Sequence, residues 1–383
     1  MITKILSVVG ARPQFVKIAP LCRAVERHNA SAASLVDHVI VHTGQHYDAG
    51  MSDVFFKDLD IPNANLNLSV RSGRHGDQTA QMLHRLEEVL LTLRPDLVVT
   101  YGDTNSTLAA ALAAAKLHVP VAHVEAGVRS FNRRMPEEIN RVVTDHISDL
   151  LLAPTPTAVA NLDKEGRADH VVLTGDIMVD AVRDHRAAVA SRATVGRRLG
   201  LEPGTYGVVT IHRAENTDEP ARLTKLIQAL DALAERGLPL VFPIHPRTAD
   251  RMRRSVAWTS HPRIRIIDPV GYLDMLSLVL NATVVLTDSG GLQKEAFFLE
   301  RPCVTLRDET EWVETVQWGG NVLAGVEPDA IVRAVLGWQE RWTTGRPDFS
   351  AAVRTAFGDG RTAERILAEL LGFLSRRALG RDS

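Results

Sequence analysis

The 383-residue chain has only two cysteines, Cys22 and Cys303. They lie far apart with no paired-thiol spacing, so a disulfide framework and a cysteine metal site are excluded, and a reducing compartment, the cytoplasm, is expected. Neither charge is in excess: 44 Lys+Arg against 46 Asp+Glu leave a formal net charge of −2. That is too near neutrality for a global field that would hold nucleic acid or an anionic membrane. Long apolar runs are missing too. The longest, Met275 to Leu286, is broken by Ser277, Asn281 and Thr283 and falls short of the roughly 20 residues that span a bilayer. Ile5-Leu6-Ser7-Val8-Val9 is too short for a signal h-region and runs into Gly10-Ala11-Arg12-Pro13, so no export signal is expected. No HExxH or Walker phosphate loop occurs, and His42 with His46 spans a strand end instead of a helix face, so no metal site is expected.

What is present is the composition of a soluble globular chain, 45% hydrophobic and 23% charged, which rules out wholesale disorder. At roughly 150 residues per domain the length predicts two domains, each with its own core. Short β-branched runs alternate with longer helical patterns, the signal for βαβ units around a parallel sheet. Strands are predicted at Lys4–Val9, His38–His42, Asp96–Tyr101, Val121–Val124, Asp149–Ala153 and His170–Leu173. Helices fall near Gln14–His28, Asp77–Leu93, Ser106–Leu117 and Pro136–Ile147. After a helical, charge-rich stretch at Arg183–Gly200, a second series follows at Tyr206–Ile211, Leu240–Ile244, Ile264–Ile267, Thr283–Thr287, Cys303–Leu306 and Asn321–Leu323. The class is therefore α/β, with two Rossmann-like doubly wound domains. The expected division is 1–176, 177–360 and a closing amphipathic helix within 361–383. Two such sheets facing each other predict a cleft at the carboxyl ends of their strands, where open α/β sheets bind ligands.

Polar residues cluster at those strand ends. Thr287-Asp288-Ser289-Gly290-Gly291 leads from a strand into a helix, offering unpaired N–H groups and a positive dipole end to a phosphate. Glu295 follows about one and a half turns later, within reach of a ribose. Gly10-Ala11-Arg12-Pro13 with Lys17 has the same form in the first half, and its two cations suit a pyrophosphate. Thr43-Gly44-Gln45-His46, Gly102-Asp103-Thr104 and Glu125-Ala126-Gly127 end three strands, and Glu137-Glu138 opens a helix. Asp103, Glu125 and Glu137 crowded into one crevice would suit proton transfer near neutral pH, whereas Glu138 reads as an ordinary first-turn dipole partner. His212-Arg213 closes the first strand of the second half and faces an anionic ligand in this reading, while His245 reads as an ordinary solvated residue.

Taken together, Gly10–Pro20, Thr43–His46, Tyr101–Thr107, His123–Asn140, Thr174–Asp180, His212–Asn216, Asp288–Glu295 and Arg307–Glu314 resemble the non-hydrolysing UDP-N-acetylglucosamine 2-epimerases over nearly the whole chain. The resemblance implies two Rossmann domains in the glycosyltransferase-B manner, often a homodimer, with the C-terminal helix returning to the N-terminal domain. It implies a UDP-sugar substrate and neither NAD nor an essential metal. The reaction it implies inverts C2 by anti elimination of UDP to a 2-acetamidoglucal, then re-addition of UDP and return of a proton to the opposite face. By resemblance Asp103, Glu125 and Glu137 match proton-transfer carboxylates, and His212 a residue tied to the departing pyrophosphate. Arg12, Lys17, Ser289, Gly290 and Glu295 match UDP positions, with Arg213 and Gly291 beside them in the same motifs. Gln45 and His46 match residues near the sugar and a regulatory region.

Two departures bear on the sugar. Thr310-Glu311-Trp312-Val313-Glu314 stands where many members have Thr-Glu-Arg-Pro-Glu, and Gln14 replaces the commoner Glu. Both changes, with Arg307-Asp308-Glu309, are similar to the branch that epimerises UDP-2,3-diacetamido-2,3-dideoxyglucuronate. UDP-N-acetylglucosamine is the family default and that uronate the alternative. A hydrolysing epimerase or a UDP-sugar glycosyltransferase would share the fold.

Overall fold

Three short runs, Leu97–Tyr101, Val121–Val124 and Leu150–Ala153, are buried at every position, as strands covered by helices on both faces must be. They belong to the first of two parallel sheets in this computed structural model, which describes residues 2–32, 34–45, 59–191, 194–255, 261–345 and 347–379. The first sheet holds β1 (Ile2–Val9), β2 (Leu35–His42), β3 (Leu66–Asn67), β4 (Leu97–Tyr101), β5 (Val121–Val124), β6 (Leu150–Ala153) and β7 (Val171–Leu173), in the order β3-β2-β1-β4-β5-β6-β7. The second holds β8 (Gly207–Thr210), β9 (Leu240–Pro243), β10 (Ile264–Ile267), β11 (Val284–Thr287), β12 (Cys303–Thr305) and β13 (Asn321–Leu323), in the order β10-β9-β8-β11-β12-β13. The twelve longer strands are those the alternation predicts. The sequence reading missed β3, whose two exposed residues at the sheet edge carry no apolar run to reveal them.

Both sheets are doubly wound, so the order in which strands are added reverses between β1 and β4 in one and between β8 and β11 in the other. These switch points are where the loops diverge and leave room for ligands. The chain forms two units, Met1–Asp184 with Arg354–Ser383, and His185–Val353. The first break lies inside helix Ile177–Ser191, and the reading from sequence set it at 176/177. Helix Thr362–Leu379 packs on helix Arg12–Ser31 within the first unit, and Asp180 receives the Thr362 and Ala363 N–H groups at 3.1 and 2.8 Å. Cys22 and Cys303 are both buried, and burial pushes each thiol up to about 12.

One buried carboxylate ties the turns of the first unit together. Asp145, on helix Pro136–Ile147 and 0% exposed, meets His123 Nδ1 at 2.6 Å, Arg129 Nη1 at 2.7 Å and the Gly127 N–H at 3.0 Å. The other ring nitrogen of His123 lies 2.7 Å from the Gly102 carbonyl. Arg129 continues to Glu165 at 2.7 Å. Burial alone would raise the Asp145 carboxyl, but His123, Arg129 and the Gly127 N–H outweigh it and hold the group below its ordinary 3.8.

Asp145→Asn strands a buried guanidinium and imidazole and is expected to cost about 3–5 kcal/mol, read from the denaturant midpoint at pH 7. Since the unfolded chain takes up that proton more readily than the folded one, the stabilisation is complete above the ordinary carboxylate value. It is lost as pH falls below 3.8 through the lower folded value, so wild type and variant converge in acid. A variant as stable as wild type at pH 7 would remove Asp145 from this role.

Candidate active site

In the first unit the turn after β1 enters helix Arg12–Ser31 with Pro13 in its first turn, where its missing N–H costs nothing. The backbone here passes so close to its neighbours that a Cβ on Gly10 would lie 2.1 Å from Thr43 Oγ1 and 2.2 Å from Ser106 Oγ. Gln14 Oε1 accepts from the Gly10 and Ala11 N–H groups at 2.8 and 3.0 Å, while its Nε2 donates to the Tyr101 carbonyl at 2.9 Å and to Thr107 Oγ1 at 3.0 Å. A glutamate at this position has no such amide donor, so the amide joins the two sides of the switch point.

Across that point, β4 ends in Gly102-Asp103-Thr104, and Thr104 caps helix Asn105–Lys116 by accepting from the Thr107 N–H. Asp103 is partly exposed; Arg141 Nη2 lies 2.5 Å from its carboxylate, and Asn140 donates to its carbonyl at 2.9 Å. Glu125, one strand over, has a φ of 78°, a strained conformation for a non-glycine residue and one that clusters at functional sites. It is 8% exposed, and its carboxylate meets Lys17 Nζ at 2.8 Å. Lys17 was read from sequence as a pyrophosphate cation; its ammonium lies against Glu125 and beneath the Gly102 turn. Gln45 accepts from Ser106 N and Oγ at 3.1 and 2.7 Å. His46 lies outside the described residues. Arg12 and Glu137 are partly exposed at the starts of their helices.

Glu138, by contrast, is 2% exposed. It accepts from the Ser130 N–H and hydroxyl at 2.9 and 3.1 Å, from the Phe131 N–H at 2.8 Å and from Arg141 at 3.0 Å. It therefore joins the turn at residues 130–131 to the arginine that holds Asp103. Sequence alone gave no sign of this, because it is a tertiary contact between adjacent loops.

In the second unit, β8 ends in Ile211-His212-Arg213. Asp288, at the end of neighbouring β11 and 0% exposed, accepts from the His212 N–H at 3.0 Å, the Arg213 N–H at 3.0 Å and Asn216 Nδ2 at 3.2 Å. The His212 ring remains 44% exposed, with Nδ1 3.6 Å from the same carboxylate. Ser289 caps helix Gly290–Phe298, whose first-turn N–H groups lack helical partners and favour an anion. Gly290 is buried where a Cβ would lie 2.2 Å from Glu311 Oε1; Gly291 is exposed. Glu295 is 8% exposed beside the Tyr272 phenol, whose ionisation is pushed well up by burial and then by that carboxylate.

The segment that departs from the family motif packs against this helix. Arg307, fully buried, pairs with Glu311 at 2.9 Å, and Arg213 Nη2 lies 3.9 Å from the same residue. Trp312 is 3% exposed, with Lys294 Nζ 3.6 Å above its ring, a cation–π contact. The structure thus brings Asp103 and Glu125 to neighbouring strand ends in one unit, and His212, Arg213, Ser289, Gly290 and Glu295 together in the other. His123, Asp145, Arg141 and Asp288 were not singled out by sequence reasoning, and Glu138 was read only as a first-turn dipole partner; the burial that identifies them is not a local signal.

Comparison with known proteins identifies the family. A sequence model described as UDP-N-acetylglucosamine 2-epimerase matches residues 28–371. The UDP-2,3-diacetamido-2,3-dideoxy-D-glucuronate 2-epimerase of Pseudomonas aeruginosa is 48% identical over 86% of this chain and 91% of its own. A UDP-N-acetylglucosamine 2-epimerase homolog of Methanococcus maripaludis is 44% identical over 96% of this chain and 99% of its own. The crystal structure of Methanocaldococcus jannaschii UDP-GlcNAc 2-epimerase, in complex with UDP-GlcNAc and UDP, superimposes with a TM-score of 0.87 at 42% identity, over 96% of this chain and 99% of that one. With a family model matching residues 28–371 and relatives and a solved structure matched over almost their full length, the chain belongs to the UDP-N-acetylglucosamine 2-epimerase family.

Proposed function

We propose that the chain epimerises C2 of a UDP-linked 2-acetamido sugar without net hydrolysis, converting UDP-N-acetylglucosamine to UDP-N-acetylmannosamine. The observation that carries this reading is the pair Asp103 and Glu125. They end neighbouring strands and are held by Arg141 and Lys17 respectively, in a chain whose family is the 2-epimerases. The C2 proton is weakly acidic, so its removal needs a positioned base while UDP departs from C1. Breaking C2–H and C1–O gives the 2-acetamidoglucal and UDP. Re-forming C1–O with UDP and returning a proton to the other face of C2 completes the inversion. Asp103, Glu125 and Glu137 are assigned to these proton transfers, with Arg141 and Lys17 fixing two of them. In the second unit the helix start at Ser289-Gly290-Gly291, with His212 and Arg213, is assigned to the diphosphate and Glu295 to the ribose; in the first unit Arg12 is likewise assigned to the diphosphate. Gln45 and His46 are assigned to the sugar end. No cofactor or metal takes part. The same reading places the protein in the cytoplasm as a homodimer.

A second substrate is favoured by specific residues. Gln14 and Trp312-Val313 are similar to the branch acting on UDP-2,3-diacetamido-2,3-dideoxyglucuronate, and the 48% identical relative carries that activity in its name.

A proton NMR time course in D2O, with UDP-N-acetylglucosamine and no acceptor, is expected to yield UDP-N-acetylmannosamine deuterated at C2. Free N-acetylmannosamine would instead indicate a hydrolysing enzyme, and no turnover of either UDP-sugar would overturn the epimerase reading. Asp103→Asn, Glu125→Gln and Glu137→Gln are each expected to lower kcat by roughly 10²–10⁴ while UDP still binds; wild-type rates in all three would refute their assignment. Glu295→Ala is expected to weaken UDP binding about tenfold, the loss of one charge-assisted hydrogen bond. Unchanged affinity by calorimetry would remove the ribose contact.

A further inference from the structure

A uronate substrate brings a second anion, the C6 carboxylate, and a carboxylate taken out of water needs a cation with matching hydrogen bonds. The cations at the second unit's turns are already committed. Arg213 and Arg307 face Glu311, and Lys294 lies over Trp312 at 1% exposure. In the first unit Lys17 is on Glu125, Arg141 on Asp103 and Glu138, and Arg129 on Asp145 and Glu165. The turn between β5 and helix Pro136–Ile147 differs. Its Arg133 and Arg134 are exposed, and among the described residues neither guanidinium has a hydrogen-bond or ion-pair partner.

This turn is held in shape by several bonds. Glu138 takes three hydrogen bonds from Ser130 and Phe131, Ser130 Oγ accepts from the Asn132 N–H at 3.3 Å, and Asn132 Oδ1 accepts from the Arg134 N–H at 3.1 Å. Phe131 is kept at a φ of 59° with 73% of its surface exposed, a conformation that a bulky side chain adopts only when its surroundings impose it. Through Glu138 and Arg141 the turn is fixed to the Asp103 carboxylate by two consecutive ion pairs. The acid–base residues set where C2 must lie, and C6 is only a pyranose ring's width away.

We propose that Arg133 and Arg134 form the binding site for the substrate's C6 carboxylate and so determine the choice of a uronate over a neutral sugar. This rests on the uronate reading of the substrate. A planar guanidinium matches a carboxylate through two parallel hydrogen bonds, and because the turn's backbone is already held, only the two side chains have to be ordered on binding. A sugar with a hydroxymethyl at C6 gains nothing from them.

The test uses the full chain and two probes, UDP-2,3-diacetamido-2,3-dideoxyglucuronate and UDP-N-acetylglucosamine, with affinity by calorimetry and turnover by NMR. Wild type is expected to bind the uronate about ten- to a hundredfold more tightly. Arg133→Met/Arg134→Met should collapse that ratio towards one, with Arg133→Lys/Arg134→Lys restoring part of it. Arg74, exposed before helix His75–Leu93, is the control. A ratio unchanged in the double Met variant, or lost in Arg74→Met instead, overturns the proposal while leaving the uronate reading intact. A wild type that turns over only UDP-N-acetylglucosamine overturns both, and that result is visible before any variant is made.

Discussion

The first unit depends on a carboxylate that never meets substrate. Asp145 lies in the interior, where an ion must be paired and hydrogen-bonded to be tolerated, and it uses its oxygens on His123, Arg129 and the Gly127 N–H. Each partner belongs to a different part of the turn region, and His123 passes the constraint to the Gly102 carbonyl. Gly102 takes its φ of 63° without strain, but the 78° of Glu125 persists only where surrounding contacts over-determine it. The network's stability gain is offset by desolvation; its structural product is that the residues carrying Asp103 and Glu125 are held in one arrangement.

The second unit repeats the device. Asp288, equally buried, collects the backbone N–H groups of His212 and Arg213 and the amide of Asn216. It fixes the turn after β8 while leaving the His212 ring open to solvent. In both sheets the reversal of strand order opens a gap between two strand ends, and in both a buried carboxylate fixes a turn beside it. Several side chains proposed for chemistry also carry structural contacts: Glu125 is paired with Lys17, Asp103 with Arg141, and Gln45 accepts from Ser106.

The family departures are also structural facts. Gln14 donates to the Tyr101 carbonyl and Thr107 while accepting from two backbone N–H groups, a division of labour that its amide allows and a carboxylate does not. Trp312 occupies the position of an arginine in many members, and Lys294 covers its ring. Both side chains are buried, Trp312 at 3% and Lys294 at 1% exposure. The positive charge beside residue 312 is thus withdrawn from solvent, whereas Arg133 and Arg134 of the first unit are exposed.

The alternation of short apolar runs with helical patterns determined the α/β class, twelve of the strands and the two doubly wound sheets, because a strand buried on both faces is written in consecutive residues. The glycine-rich turn at Ser289, the proline at the start of the first long helix and the acidic strand ends were equally legible, since their chemistry is local. The two-residue edge strand β3 was not, having no apolar pattern to announce it. Nor could sequence assign Lys17 to Glu125, Glu138 to the turn at residue 130 or His123 to Gly102. Those partners are 108, 8 and 21 residues apart, and whether a charged side chain faces solvent or a buried counter-charge is decided only when separate strand ends are brought side by side. Tertiary structure therefore decided which ionic groups hold the fold and which remain free to act, because burial and pairing are properties of three-dimensional neighbours and not of order along the chain.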